Sequence, residues 1–206
     1  MKPWWRAIVS LLAGAGLVAL AACSSSKLPE RFHTLLPAEH AASAAPSAPP
    51  LYIDVLPVSV PAQVDHAQWV VRQPDDSLLM LEQDRWAAPL QDELRGALVE
   101  RLTSQWGAVD VRGVALPAPT VWRLRVDIQR FESIPGREAR IEGAWSWTSS
   151  QRGAVPLVCR SVLREPVSGS DVSALAAAHR RAVVRLADEV GQRLHALQSS
   201  GTPSCW

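Results

Sequence analysis

The chain has 206 residues, 48% of them hydrophobic and 20% charged, with 21 basic and 20 acidic side chains and a formal net charge of +1. That length has room for one ordinary domain with a buried core. The even charge balance gives no support for a nucleic-acid binder or a polybasic membrane patch.

The N-terminus carries Lys2 and Arg6, then an uncharged apolar run over 7–20. At ~1.5 Å per helical residue that run is too short to span a bilayer comfortably. It closes on Leu20-Ala21-Ala22-Cys23, with small residues at the cleavage position of an export signal. Residues 1–22 therefore read as a signal peptide, cut between Ala22 and Cys23, and are set aside from the fold. Without Lys2 and Arg6 the basic count falls from 21 to 19 against 20 acidic residues, a formal charge of −1.

Residues 23–50 read as a leader, with a short strand over 32–35 and an Ala/Pro/Ser-rich loop over 37–50. The folded body is expected over 51–206. A β-type segment runs over 51–60, where Pro57 and Pro61 mark an edge or a bulge. Apolar runs over 69–72 and 78–81 flank Pro74-Asp75-Asp76-Ser77, which makes a hairpin. A helix is predicted over 86–105, because Trp86, Leu90, Leu94, Leu98 and Leu102 recur every four residues. Pro89 falls in its first turn, and Gly107 stops it.

Over 121–128, Trp122, Leu124, Val126 and Ile128 alternate with polar residues, the pattern of a half-buried strand. Pro135-Gly136 turns the chain into a strand over 138–148. Arg152-Gly153 turns it again into a strand over 155–163. Ser170 or Asp171 can cap a last helix, whose stripe is Val172, Leu175, His179, Val183, Leu186, Val190, Leu194 and Leu197. The predicted class is α+β, an antiparallel sheet with two helices packed on one face.

Cys159 falls in a strand and Cys205 next to the C-terminus. In an oxidising compartment they can close into a bridge that staples the tail to the sheet, or they stay as two thiols. No phosphate loop, nucleophile elbow or zinc spacing accompanies His33, His40, His66, His179 or His195. No cofactor or metal is expected. His179 lies on the apolar stripe and reads as a satisfied, partly buried histidine rather than a ligand or a base. Glu93 with Glu100, and Asp188 with Glu189, read as helix-surface charges beside arginines rather than catalytic pairs. Arg180, Arg181, Arg185 and Arg193 make the outer face of the last helix basic, either a solvated face or a docking surface for an acidic partner. Seven tryptophans remain after Trp4 and Trp5 are removed. Trp69, Trp86, Trp122, Trp145 and Trp147 fit core or interface positions.

The Leu20-Ala21-Ala22-Cys23 stretch resembles the lipobox of bacterial lipoproteins. That resemblance implies lipid on the Cys23 sulfur and on the new amino terminus. Ser24, in place of an aspartate, implies by the same resemblance an outer-membrane location facing the periplasm. Four further stretches resemble the PqiC family of ABC-type transport auxiliary lipoproteins. They are Phe32-His33-Thr34-Leu35, Val58-Ser59-Val60-Pro61, the run from Trp86-Ala87-Ala88-Pro89-Leu90 to Leu94, and Ile128 to Phe131 followed by Gly143-Ala144-Trp145. The resemblance implies a non-catalytic accessory subunit. It would form a homo-oligomeric ring, dock the outer end of a tunnel built by a PqiB-like MCE protein, and act indirectly with a PqiA-like inner-membrane protein in lipid transport. A scaffold for another envelope assembly machine is the alternative, and a lipid-anchored hydrolase a third. Cys23→Ser is expected to move the protein from the membrane to the soluble fraction with unchanged circular dichroism. Retention on the membrane would remove the lipid anchor at Cys23.

Overall fold

The computed structural model describes residues 28–38, 51–114, 120–200 and 205. Ala22, Cys23, His40 and Trp206 lie outside the described residues, as does most of the Ala/Pro-rich stretch. The strands are β1 Arg31–His33, β2 Leu51–Val55, β3 Gln68–Arg72, β4 Leu78–Trp86, β5 Ala108–Asp110, β6 Trp122–Ile134, β7 Glu138–Ser149 and β8 Leu157–Pro166. The helices are α1 Leu90–Trp106 and α2 Val172–Ser200, and a single 3-10 turn covers Ala62–Val64.

The fold is α+β, but its sheets are not the single antiparallel sheet expected. A five-stranded sheet runs in the order β5-β2-β6-β7-β8, and a three-stranded one in the order β1-β4-β3. Both are mixed. β2 runs parallel to β5 and to β6, and β1 parallel to β4, while β3–β4, β6–β7 and β7–β8 are antiparallel. The antiparallel pairs are those that tight turns join. β2 meets its neighbours only after the chain has built the small sheet and α1, a connection long enough for parallel pairing. The β-type segment from Leu51 also stops at Val55. Beyond Pro57 only Ser59 makes a parallel bridge, to Asp127.

The inner face of the large sheet carries the core. Leu124, Val126 and Ile128 of β6 are buried, and a register shift between Ile128 and Arg130 then brings Phe131 and Ser133 inward. Gly143 of β7 lies opposite this bulge. A Cβ there would sit 2.7 Å from the Asp127 carbonyl oxygen, so only glycine lets the strands come this close. α1 covers the face with Leu90, Leu94, Leu98 and Leu102, all essentially inaccessible. Gly107 ends α1 in the left-handed region at φ 62°, its N–H reaching Leu102 and Thr103 carbonyls.

Asp171 is the residue that caps α2, its Oδ1 accepting the Ala174 N–H at 2.8 Å. From Leu175 to Leu197 every predicted stripe residue of α2 is buried, and only Val172 is half-buried. Gly191 leaves room for the Trp106 indole of α1, whose nearest atom would lie 2.5 Å from a Cβ. The helix pair is tied by Arg101, which donates to Asp188 at 2.8 and 3.0 Å.

Trp86 corrects the helix boundary. It closes β4 rather than opening α1, with its N–H bonded to the Ala67 carbonyl at 2.8 Å. The four-residue spacing to Leu90 is real, but Pro89 occupies the cap position in extended conformation, and the helix starts after it. Trp86 is 5% exposed and stacks on Trp69 with ring centroids 3.9 Å apart. Trp86→Ala is therefore expected to cost ~3–5 kcal/mol, read from urea unfolding. A shift below ~1 kcal/mol would mean that the indole is not part of the core.

Candidate functional site

The small sheet is welded to the large one by a ring cluster around Ser133. The Trp69 Nε1–H donates to Ser133 Oγ at 3.0 Å, and the same hydroxyl lies 2.9 Å from His179 Nε2. His179 stacks on Phe131 with centroids 4.0 Å apart and planes 7° from parallel. Trp86 meets Phe131 edge-on at 5.9 Å. His179 is fully buried, and burial pushes its pKa down from 6.5 to about 3, so the ring stays neutral here. His179 is a core histidine as expected, but it is fully rather than partly buried, and of its two ring nitrogens Nε2 is partnered while Nδ1 is not among the described residues. At the rim of the cluster His33 lies edge-on to Trp69 and bonds Asp84 at 2.8 Å, and Arg31 forks onto the same carboxylate. Burial pushes the Asp84 carboxyl up, but the bonds from Arg31 and His33 outweigh it and hold it below its usual range.

The remaining indoles are shared between core and surface. Trp145 donates to Ser161 Oγ at 2.9 Å, and Ser161 donates to the Glu189 carboxylate at 2.6 Å. Trp147 donates to the Val190 carbonyl at 3.1 Å. Trp106 and Trp122 are half-buried. Cys159 of β8 is bridged to Cys205 in the structure, with Cα atoms 5.6 Å apart.

The carboxylates singled out from sequence are not brought together as an acid–base pair. Glu93 is 3% exposed, not a surface charge beside arginine. Its Oε2 accepts the Thr34 hydroxyl at 2.7 Å and the Leu35 N–H at 2.8 Å. It straps the segment after β1 onto α1, an i-to-j link of 58 residues that no local pattern announces. Asp188 pairs with Arg101 and Glu189 with Ser161, while Glu100 lines the groove described next. Three of the four α2 arginines singled out from sequence bond groups within the chain. Arg180 donates to the Thr34 carbonyl at 3.0 Å, and Arg181 and Arg185 donate to Glu165 at 3.1 and 2.8 Å. Arg193 is half-buried. Among the described residues no cluster of His, Cys, Asp or Glu has metal-binding spacing, and no helix is long and apolar enough to cross a membrane.

What the structure assembles instead is a set of surfaces. A groove of about 630 Å³ lies between α1, α2 and the Leu35–Pro37 segment. Ala97, Ala177, Val183 and Val184 give it an apolar floor, and Arg101, Arg180, Arg181 and Arg185 stand around it against Glu100 and Glu165. The tip of the β3–β4 hairpin exposes three consecutive apolar residues, Leu78 at 45%, Leu79 at 46% and Met80 at 39%. The sequence located that hairpin but not its exposure. The signal was present: 78–81 is a continuous apolar run with no alternation, so both faces are apolar in a two-sided, short-edged sheet. The outer face of the large sheet carries an ion-pair cluster beside the exposed Val158 and Val162 of β8. Glu142 there is held by Arg130 at 3.5 Å and Arg160 at 3.2 Å and by the adjacent Arg140.

The body is thus a two-helix, two-sheet α+β domain whose distinctive features are surfaces. The family model described as the ABC-type transport auxiliary lipoprotein component matches residues 33–191, and the chain belongs to that family. It is an accessory lipoprotein of the cell envelope by that membership. Two solved structures share the fold. One is the crystal structure of an uncharacterized protein, TM-score 0.64 at 17% identity, covering 81% of this chain and 99% of that one. The other is a Xanthomonas campestris protein of family-model DUF330, TM-score 0.57 at 23% identity, covering 84% and 99%. No curated protein matches the chain.

Neutral burial of His179 sets a pH dependence. The unfolded chain takes up a proton below about pH 6.5, whereas the fold does not until about pH 3. Stability contributed by His179 is therefore whole above 6.5 and is lost as pH falls below it, by up to ~1.4 kcal/mol per pH unit. Asp84, Glu142 and Glu165 have lowered pKa values, so their losses begin only below about pH 4.5. Urea unfolding between pH 6.5 and 5 is expected to show the slope, and His179→Phe to flatten it. An unchanged slope in the variant would assign it elsewhere.

Proposed function

We propose that this protein is a non-catalytic accessory subunit of an intermembrane lipid transport system of the PqiABC/MCE type. It is held by lipid at Cys23 on the periplasmic face of the outer membrane. There it forms a homo-oligomeric ring that receives the outer end of a tunnel made by a PqiB-like MCE protein, with a PqiA-like protein acting indirectly from the inner membrane. The observation that carries the reading is the match of residues 33–191 to a transport-auxiliary lipoprotein family, downstream of Leu20-Ala21-Ala22-Cys23.

The structure supports this in two ways. Its polar groups in the interior are spent on holding elements together, through Ser133, Ser161, Glu93 and Asp84. Among its exposed apolar residues are Leu78, Leu79 and Met80 at the hairpin and Val184 in the groove, and exposed apolar side chains are where contacts to other proteins are made. The bridge from Cys159 to Cys205 suits an oxidising periplasm.

Native extraction of the tagged, full-length protein from membranes of its own organism tests the assignment. The expected result is an oligomer that brings down an MCE-domain protein of PqiB type. Recovery of a monomer with no such partner would overturn the reading, and recovery with a peptidoglycan-assembly machine would replace it with the scaffold alternative.

A further inference from the structure

We propose that copies of this chain assemble head to tail, the β3–β4 hairpin of one copy seating in the α1–α2 groove of the next. The inference rests on the homo-oligomer in the functional reading above and assigns the contact that builds it. Two surfaces of the same molecule carry it. The hairpin tip is apolar and acidic: Leu78, Leu79 and Met80 are exposed, flanked by Asp75, Asp76 and Glu82, all three exposed. Asp75 is firmly ionised, since the Ser77 hydroxyl and N–H hydrogen-bond its carboxylate and hold its pKa down. The groove is apolar and basic: alanines and valines floor it, and four arginines face two glutamates around it.

The two surfaces match in both respects that decide an interface, apolar area at the centre and opposite charge at the rim. Although Arg101, Arg181 and Arg185 already bond Asp188 and Glu165, and Arg180 bonds only a backbone carbonyl, each guanidinium has five N–H donors and keeps some for a second partner. No residue of β3 or β4 lines the groove. One copy can therefore donate its hairpin while accepting another's, which is the heterologous geometry that closes into rings. The acidic flanks argue against the alternative occupant, a membrane: carboxylates beside the apolar run are repelled by anionic headgroups.

The contact has a test that symmetric or unrelated interfaces fail. Leu79→Glu spoils the hairpin and leaves the groove; Val184→Glu, at a position 40% exposed, spoils the groove and leaves the hairpin. Full-length proteins in detergent are compared by sedimentation. Each variant alone is expected to be monomeric at concentrations where the wild type is assembled, with self-association weakened at least about tenfold. Mixed one to one at concentrations well above those that assemble the wild type, since a pair lacks ring closure, they are expected to form pairs and nothing larger, because only one intact hairpin and one intact groove remain. Circular dichroism and melting matching the wild type show that both variants fold. Wild-type mass in either variant, or a mixture that stays monomeric, would overturn the pairing while leaving the oligomer standing. A wild type that is monomeric throughout would take down the oligomer itself. Unchanged mass, with vesicle binding present on the anchor-free Cys23→Ser background and lost when Leu79→Glu is added, would make the hairpin a membrane contact instead.

Discussion

One hydroxyl, that of Ser133, fixes how the two sheets sit together. It accepts the Trp69 N–H from the small sheet and faces His179 Nε2 from α2. With one of the two Oγ lone pairs used by Trp69, the serine proton finds an acceptor when Nε2 is bare, and the imidazole proton then sits on Nδ1. That arrangement leaves one polar group, Nδ1–H, without a partner among the described residues. The other neutral tautomer would leave the serine proton unplaced as well. A charged imidazolium would add an unpaired charge to a dry site, a far larger cost. The ring stack of Trp69, Trp86, Phe131 and His179 therefore depends on a neutral histidine, and every element that meets it inherits that dependence.

The same logic governs the buried acids. Asp84 is 4% exposed and Glu93 3%, and a buried carboxylate without partners would be strongly destabilising. Each is satisfied by residues 31–35, through Arg31, His33, Thr34 and the Leu35 N–H. Arg180 holds the Thr34 carbonyl from the other side. This short segment thus neutralises β4, closes over α1 and ties to α2. It behaves as part of the domain, although its composition alone placed it in the leader before residue 51.

That difference shows what the sequence could and could not carry. Local period was readable. The leucines of α1 at every fourth position and the alternation of Leu124, Val126 and Ile128 lie on the faces expected, because burial on one side imposes 3.6- and 2-residue repeats. Gly107 and Asp171 end and begin helices where their backbone chemistry requires. Parallel pairing was not readable. The parallel partners of β2 are chosen by a chain path of dozens of residues, and nothing in Leu51–Val55 records it. Trp86 shared the spacing of the α1 stripe while belonging to β4, since a four-residue interval fits a helix repeat and an even strand repeat alike. The surfaces fell between these cases. The Leu78–Leu81 run was visible, but its exposure depends on the small sheet having only three strands, with β3 at one edge and β1 pairing only as far as Asp84–Trp86.

Three exposed apolar side chains at one hairpin and one groove of about 630 Å³ give the proposed contact few anchoring groups. For a freely diffusing protein such a contact is weak. With the lipid proposed at Cys23, copies share a plane and an orientation, and part of the translational and rotational cost of association is met before they touch. A ring adds a second economy. Every copy in it makes two contacts, so removing one copy requires breaking both, and the assembly is held far better than any pair. The anchor and the modest interface then belong to one design: individually weak contacts allow subunits to exchange and find register, and confinement in the membrane plane with closure supplies the stability that each contact lacks.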